Sequence, residues 1–570
     1  MSAPTLAKRE GAAQSPRPTL AKPTRARIVT NALLIGLLIA GVWSMQGVGL
    51  SWEQVTRGTE YAGSFLARTV PFVWPSLGEA LWLCALTLAI VFCGTALAAV
   101  LSIPVAYLAA RNTAPNRFGV ALGRFLGVTT RAAPDAIMAM IFALIIGQGA
   151  LAGVLALGIH SIGMISKLTA DAIEQIDDGP VLALRAAGAS KHQQFWGAVW
   201  PQILPAFIAI VLHRADINLR VSVILGFVGV AGLGQQLSIA MQTLNYREAM
   251  PFAIIIFVLC VLFEVVSALL RRSLLGAQPE GRSIAHRLVR RLTNEPETPE
   301  EARIAHAAQG RKGRIPWTPD RVRSVTLIWS TVLIVAASVV LAGSQGSSFA
   351  NFWQNLAIAG GRLWPPSLAQ EKWGQVTLAL VETVQIAFAA TLFAVVFSML
   401  LGALAARNVS PSPGVRAGAR LTLVVIRGLP ELLLALFFII LTGLGPGAAV
   451  LALGIGGVGL LGKLVADSLE EVNPGPEQAL FAVGATRPQM FAAATFPQAV
   501  PSFVGHTLYL LDTNIRSATV LGIVGGGGIG YMLSSAARVN QHELLFLLLC
   551  VLVIVFLVEG LSSLLRKMLA

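Results

Sequence analysis

VLALGIHSIGMISKLTADAIEQIDDGP, residues Val154 to Pro180, returns 296 residues later as VLALGIGGVGLLGKLVADSLEEVNPGP, Val450 to Pro476. In both copies an apolar stretch of helical length runs into an acidic turn bearing Gly and Pro. The same offset holds on either side. Arg131-Ala-Ala-Pro134-Asp135 matches Arg427-Gly-Leu-Pro430-Glu431, and Ala110-Arg111-Asn112 matches Ala406-Arg407-Asn408. Asp216-Ile-Asn218-Leu-Arg220 matches Asp512-Thr-Asn514-Ile-Arg516. Self-similarity at a fixed offset means two copies of one structural unit. Residues 28–272 and 321–570 are the two modules, 1–27 is a basic tail, and 273–320, rich in Arg, Glu, Pro and Gly, is a linker.

The modules belong in a membrane. Of 570 residues 55% are hydrophobic and 12% charged, with mean hydropathy +0.72. Soluble domains carry about a quarter charged residues. Ile28–Met45, Leu81–Ala110, Phe252–Leu270, Val325–Ala342 and Leu544–Leu564 have the length of membrane spans, for which about 18 apolar residues suffice. The composition predicts an all-α polytopic membrane protein with about six spans per module. The net charge of +14 would suit nucleic acid, but its placement argues otherwise. Lys8, Arg9, Arg17, Lys22, Arg25 and Arg27 crowd the tail, twelve Arg or Lys lie between Arg271 and Arg323, and Arg566 and Lys567 sit near the end. Basic residues flanking spans mark the cytoplasmic side. All three segments are therefore expected in the cytoplasm, each module crosses an even number of times, and the repeats run parallel; inverted repeats suit a class of secondary transporters. The first apolar run is long enough to span and no A-x-A-type cleavage site follows it, so it is not read as a secretory signal. Cys84, Cys93, Cys260 and Cys550 all sit in apolar runs and read as small core residues.

Between the fourth and fifth expected spans each module carries a polar segment, RAAGASKHQQFWGAVWPQILP (Arg185–Pro205) and FAVGATRPQMFAAATFPQAVP (Phe481–Pro501). Asp177-Asp178-Gly179-Pro180 and Asn473-Pro474-Gly475-Pro476 are helix-start signals. A short helix broken at Gly188 or Gly484, then a second short helix meeting Pro201 and Pro205 or Pro497 and Pro501, predicts a helix–turn–helix on the membrane surface. One reading is an amphipathic interfacial connector. The other is a docking element, because small residues cluster where a second surface fits closely: Ala183, Ala186, Ala187, Gly188 and Ala189, then Ala479, Ala482, Gly484 and Ala485.

The Gly, the spacing and the Pro resemble the "EAA loop" of ABC importer permeases, and RAAPDA, RGLPEL, GIGGVGLLGKL and NIRSATVLGIVGGGGIG resemble the phosphonate permease family. The resemblance covers nearly all of both halves. It implies two fused type I ABC importer permease modules whose loops dock into two copies of a cytosolic ATPase. ATP and Mg would be bound by that partner and no cofactor by this chain, and an extracytoplasmic binding protein would deliver the substrate. Glu477 stands near the start of the second loop, whereas Leu182 stands where the family has an acid, implying unequal contacts.

Other motifs lead elsewhere. GVGLLGKL (Gly457–Leu464) approaches a phosphate-binding loop, but Leu464 replaces the magnesium-binding hydroxyl and no strand precedes it. GIVGGGGIG (Gly522–Gly530) has dinucleotide-type spacing without a βαβ unit, and reads as close helix packing or a bent turn. The seven histidines form no metal-ligand pattern. The chain is expected not to be an enzyme. Ionisable residues inside spans are costly and mark pathways or pairs. Arg220 and Arg516 lie fifteen residues past Pro205 and Pro501, about 22 Å along a helix. Asp216 and Asp512 lie one turn earlier, at pairing distance, with Asn218 and Asn514 between. They read either as self-neutralising pairs with Asn bonding a neighbouring helix, or as an anion path in which Arg presents its planar fork. Lys167 and Lys463, four residues before Asp171 and Asp467, read as local pairs, snorkelling anchors or exit-path charges. Arg131 and Arg427 read as gate or interface residues or as anchors. The expected function is the permease subunit of an ABC importer for phosphonate or a related oxyanion (phosphate, phosphite) in a bacterial inner membrane. A secondary transporter of organic anions and a non-transporting scaffold are the alternatives.

Overall fold

The computed structural model describes residues 25–49, 63, 67, 69–275, 319–344 and 352–569, and among them helices form and no strand does. Most of the basic tail and residues 276–318 of the linker lie outside the described residues. The first module comprises α1 (Arg25–Gly47), α2 (Leu77–Ala109), α3 (Arg117–Ala132), α4 (Asp135–Ile146), α5 (Ala150–Glu174), α6 (Gly179–Ala186), α7 (Lys191–Gln194), α8 (Trp200–Leu225), α9 (Leu233–Gln242) and α10 (Tyr246–Leu275). The second comprises α11 (Pro319–Gly343), α12 (Phe352–Leu363), α13 (Trp373–Ala405), α14 (Pro413–Gly428), α15 (Glu431–Thr442), α16 (Pro446–Glu470), α17 (Pro474–Ala482), α18 (Arg487–Met490), α19 (Phe496–Ile523), α20 (Ile529–Val539) and α21 (Gln541–Leu569).

The expected spans are not all single straight helices. Among the described residues seven helices are long and apolar enough to cross a membrane, or nine if each bent pair counts as one. The bent pairs are α3 with α4, at 83°, and α14 with α15, at 87°. Pro134 and Pro430 stand at the corners as N-caps of α4 and α15. Proline drives the residue before it out of helical conformation, and Ala133 and Leu429 are indeed extended. α1 and α11 contribute shorter apolar stretches, Ile35–Gly47 and Trp329–Gly343, and α19 occupies the place that α8 has in the first module.

Within a module the tightest pairs are α2 with α5 and α13 with α16. Lipid offers apolar side chains no incentive to leave it, so close backbone approach through small residues must hold such pairs. A Cβ on Gly158 would meet Leu97 at 2.7 Å, and one on Gly402 would meet the Gly462 carbonyl at 2.8 Å. The glycines of GVGLLGKL serve the same purpose in the middle of α16: a Cβ on Gly457 would lie 2.9 Å from Ala394, and one on Gly459 2.8 Å from the backbone of Arg427.

The modules are interlocked. α1 leaves its own module to pack on α13, α19 and α21, and α11 packs on α2 and α5. Leu432, Ala435 and Leu436 of α15 share a buried cluster with Leu219 and Val223 of α8. Ile137 of α4 does the same with Leu511 and Ile515 of α19. The bends thus deliver each short helix into the other module.

One end of the bundle carries α6, α7, α17 and α18 and is called the loop end. There the Arg-Asn motif ties the α2–α3 turn to the foot of α5. Arg111 N donates to Glu174 at 2.9 Å and Asn112 Nδ2 to the Ile173 carbonyl at 2.7 Å, and Asn408 Nδ2 repeats the second bond to Leu469 at 2.7 Å. At the other end GIVGGGGIG is a bent turn, with Gly525, Gly527 and Gly528 all at positive φ.

Candidate functional site: paired loops and a charged interior

Each loop begins with a short helix closed by a left-handed glycine. Gly188 and Gly484 both have φ +82°, where L-residues are strained. The Gly188 and Ala189 amides bond back to Arg185 and Leu184, and those of Gly484 and Ala485 to Phe481 and Leu480, all at 3.0 Å. This is the Schellman closure of a helix. A capping box then opens the next turn, Ser190 with Gln193 and Thr486 with Gln489. The second short helix is not detached as expected. α7 and α18 run through single π turns, Phe195–Val199 and Phe491–Thr495, into α8 and α19. Pro201 and Pro497 follow immediately, and the wider turn accommodates the ring and missing N–H that break an α-helical ladder. Pro205 and Pro501 lie one turn further on, inside the helices. A continuous run of helix therefore joins each loop to the bundle interior.

The faces of α6 and α17 are open. Ala183, Ala187, Gly188, Ala479 and Gly484 are exposed, with Ala189 and Ala485 half-buried behind them. Leu182, Phe481 and Val483 project beside them. No atom lies within 4 Å of where a Cβ would stand on Gly188 or Gly484.

Residue Leu182 is not the counterpart of Glu477; the repeat and the fold place Val181 there. Glu477 accepts from Thr495 Oγ1, and from Asn408 Nδ2 at 3.3 Å. In the first module Val199 stands in place of Thr495, and Val181 packs against the buried cluster that contains Val199 and Phe195. An apolar contact replaces a polar one at the same point of the same backbone.

In the interior, Arg220 and Arg516 pair with the acids one turn before them. Arg516 makes a two-pronged pair with Asp512, at 3.2 and 2.9 Å. Arg220 reaches Asp216 at 2.8 Å and Glu264 of α10 at 3.4 Å, and donates to the Arg427 carbonyl of the second module at 2.7 Å. Asn218 and Asn514 turn inward, donating to Thr95 and Thr391, each at 2.9 Å. Arg131 ends α3 in an ion pair with Glu559 of α21, across the module boundary. Its counterpart Arg427 has no acid within ion-pair distance among the described residues, and Glu264, the repeat's counterpart of Glu559, goes to Arg220 instead. Lys167 and Lys463 are exposed.

Sequence reasoning passed over several interior groups: Asp135 and Glu431 at the starts of α4 and α15, Glu264, Glu559, and Arg214 with His160. The signal was present, since Asp135 and Glu431 stand in the repeated RAAPDA and RGLPEL motifs and all six fall in apolar surroundings. Arg220 bonds the Arg427 carbonyl and Arg131 pairs with Glu559, so the polar layer spans both modules. Its acids nearly match its arginines, so most of its guanidinium groups are already engaged in pairs, with Arg214 Nη2 and Arg220 Nε left without a partner among the described residues. Among the described residues no group of His, Cys, Asp and Glu is arranged to hold a metal ion.

The paired architecture agrees with comparisons to known proteins. The model for "Binding-protein-dependent transport system inner membrane component" matches twice, at residues 102–275 and 398–569. The "Phosphate-import permease protein PhnE" of Mycolicibacterium smegmatis is 36% identical over 533 residues, 93% of this chain and 92% of the relative. The "Phosphite transport system permease protein PtxC" of Stutzerimonas stutzeri is 38% identical over 248 residues, 41% of this chain but 90% of the relative. A solved chain of the MetNI methionine ABC transporter aligns over 35% of this chain and 99% of its own, at 20% identity with a TM-score of 0.33. With the family's domain present twice, the chain belongs to the binding-protein-dependent transport system inner membrane components, the ABC transporter permeases, as two modules fused in one polypeptide.

Proposed function

We propose that the chain is the membrane subunit of an ATP-driven importer for a phosphorus oxyanion: phosphate, phosphonate or phosphite. The carrying observation is the doubled loop, one backbone built twice at one end of the bundle and joined by continuous helix to the charged interior. Two such loops suit two copies of a cytosolic ATPase, which would bind the ATP and Mg; the chain itself would be no enzyme. An extracytoplasmic binding protein would meet the opposite end. The loop end carries Arg111, Arg117, Arg124, Arg185, Lys191, Arg407, Arg416, Arg420 and Arg487, which supports placing it in the cytoplasm of a bacterial inner-membrane protein. The substrate class is supported by relatives named for phosphate and phosphite import. The paired arginines suit it, because a guanidinium already holding a carboxylate binds a further anion weakly enough to release it. In this reading Arg220 and Arg516, with Asp216, Asp512, Arg131 and Arg427, line the path, and the two asparagines brace it.

The test is uptake of inorganic phosphate, methylphosphonate and phosphite by proteoliposomes holding the permease, the ATPase and the binding protein. ATP-dependent uptake of at least one is expected. Uptake that follows an ion gradient without ATP would identify a secondary transporter, and no uptake under either condition would leave a scaffold.

A further inference from the structure

The repeat exposes one inequality that the paired pathway does not absorb. In α8 position 214 is arginine, while the equivalent in α19 is Leu510. Beside it, α5 carries His160 and Ser161 where α16 carries Gly456 and Gly457. Arg214 is only 6% exposed. Its Nε donates to Ser161 Oγ at 2.8 Å, and Ser161 donates in turn to Asn218 Oδ1 at 3.1 Å. Its Nη2 is enclosed without a hydrogen-bond partner. No carboxylate of the described residues lies within ion-pair distance of it, although Asp135, and Arg516 across the module boundary, are near enough for their charges to be felt there. Asp135, Arg214 and Arg516 act likewise on His160, whose Nδ1 lies 3.1 Å from the Ala133 carbonyl.

A guanidinium with an unused donor is costly to bury. The fold does not require this one. A Cβ on Gly457 would lie 3.3 Å from Leu510, so the second module fills the equivalent groove with an apolar side chain. The first module instead keeps a cation, holds its Nε through Ser161, and leaves one terminal nitrogen free. Resting on the importer reading above, we infer that Arg214, with Ser161 and His160, forms an oxyanion-binding station in the first module alone. The unused Nη2 meets a phosphorus oxyanion, and Asp135 tempers the attraction so that the anion moves on. The substrate then passes off the twofold axis, against one module.

The experiment uses the full complex in proteoliposomes, with inorganic phosphate as probe and co-purification of the ATPase as the check of assembly. Arg214→Leu, which installs the residue of the second module, is expected to lower phosphate uptake at least tenfold. Arg214→Lys, keeping charge but not the planar fork, is expected to retain an intermediate rate. The double variant Arg214→Leu with Asp135→Asn separates binding from charge balance: it stays impaired if Arg214 contacts the anion. Wild-type uptake by Arg214→Leu, or recovery in the double variant, overturns the station while leaving the importer reading intact. If Arg214→Leu fails to assemble, wild-type KM and rate in Arg214→Lys overturn the station equally. If the wild-type complex takes up no phosphorus oxyanion, the importer reading falls and the station with it.

Discussion

The two modules repeat one another in backbone and differ in what fills it. Both loops have a glycine at the same φ, the same capping box and the same π turn before proline. Yet the second loop is braced by a carboxylate holding a threonine and an asparagine, and the first by Val181 on an apolar cluster. The interior differs in the same way. The arginine of the first module gathers two acids and a carbonyl from its neighbour, and that of the second holds one acid. The two modules share the path of the backbone and the presence of paired charge. The chemistry that achieves each is interchangeable, and that claim can be broken.

The largest effect should come from the unequal arginines. Removing one partner of a buried ion pair costs about 3–5 kcal/mol, because the other charge is left unpaired. Arg220→Gln strands both Asp216 and Glu264, whereas Arg516→Gln strands only Asp512. Both should lower uptake, and Arg220→Gln should also lower the thermal midpoint of the purified chain more. Adding Asp512→Asn should restore stability to Arg516→Gln, while adding Asp216→Asn should restore Arg220→Gln only in part, since Glu264 remains. Equal losses and equal rescue would show that Glu264 does not share in the pair.

The next effect lies in the loops. Glu477→Ala leaves Thr495 and Asn408 short of an acceptor, a cost of about 1–3 kcal/mol. Val181→Ala removes two methyl groups from a half-buried contact, and at ~0.8 kcal/mol per buried CH2 should cost less. The informative variant is Glu477→Val with Thr495→Val, which transplants the first loop's solution. It should hold the ATPase better in pull-down than Glu477→Ala does. A double variant weaker than Glu477→Ala would mean that the acid acts on the partner and not on its own loop.

Much of this was legible before any coordinates, because a repeat aligns positions without needing to know what they touch. The loops, the motif tying α2–α3 to α5 and the arginine pairs all come from matching offsets. Three things were not legible, each for a physical reason. Glu264 and Glu559 pair between modules or with a distant helix, so no local spacing announces them. They also lie beyond the point where the offset slips from 296 to 295, at the extra residue Leu244, whose φ of 56° absorbs the insertion. The 83° bend between α3 and α4 was not announced by hydropathy, which reports burial and not direction. The exchange of α1 and α11 between modules leaves no trace in either helix's own residues.

A smaller effect is expected at the loop glycines, where the modules should agree. An L-residue in the left-handed region pays roughly 1–2 kcal/mol. Nothing stands within 4 Å of the site of a Cβ in either loop, so Gly188→Ala and Gly484→Ala should carry that strain and nothing else. Equal, modest loss of ATPase binding is expected from both. If Gly484→Ala alone released the ATPase, the two loops would be making different contacts with it.

The smallest effect belongs to the exposed pairs that flank the loops, Arg124 with Glu174 at 3.3 Å and Arg420 with Glu470 at 2.8 Å. The second is shorter, which invites the idea that the second module is the more firmly tied. Both arginine side chains, however, are nearly half exposed. Water screens such a pair and side-chain entropy offsets most of what is left, so each is worth about 0–1 kcal/mol. The acids also hold the Arg111 and Arg407 amides, and those bonds survive loss of the arginine side chain. Arg124→Met and Arg420→Met should therefore shift the thermal midpoint of the purified chain slightly and by the same amount, and less in high salt. A clearly larger, salt-resistant loss in Arg420→Met would place Glu470 in the same network as Asn408 and Glu477, and the polar brace of the second loop would then extend from Thr495 to the foot of α16.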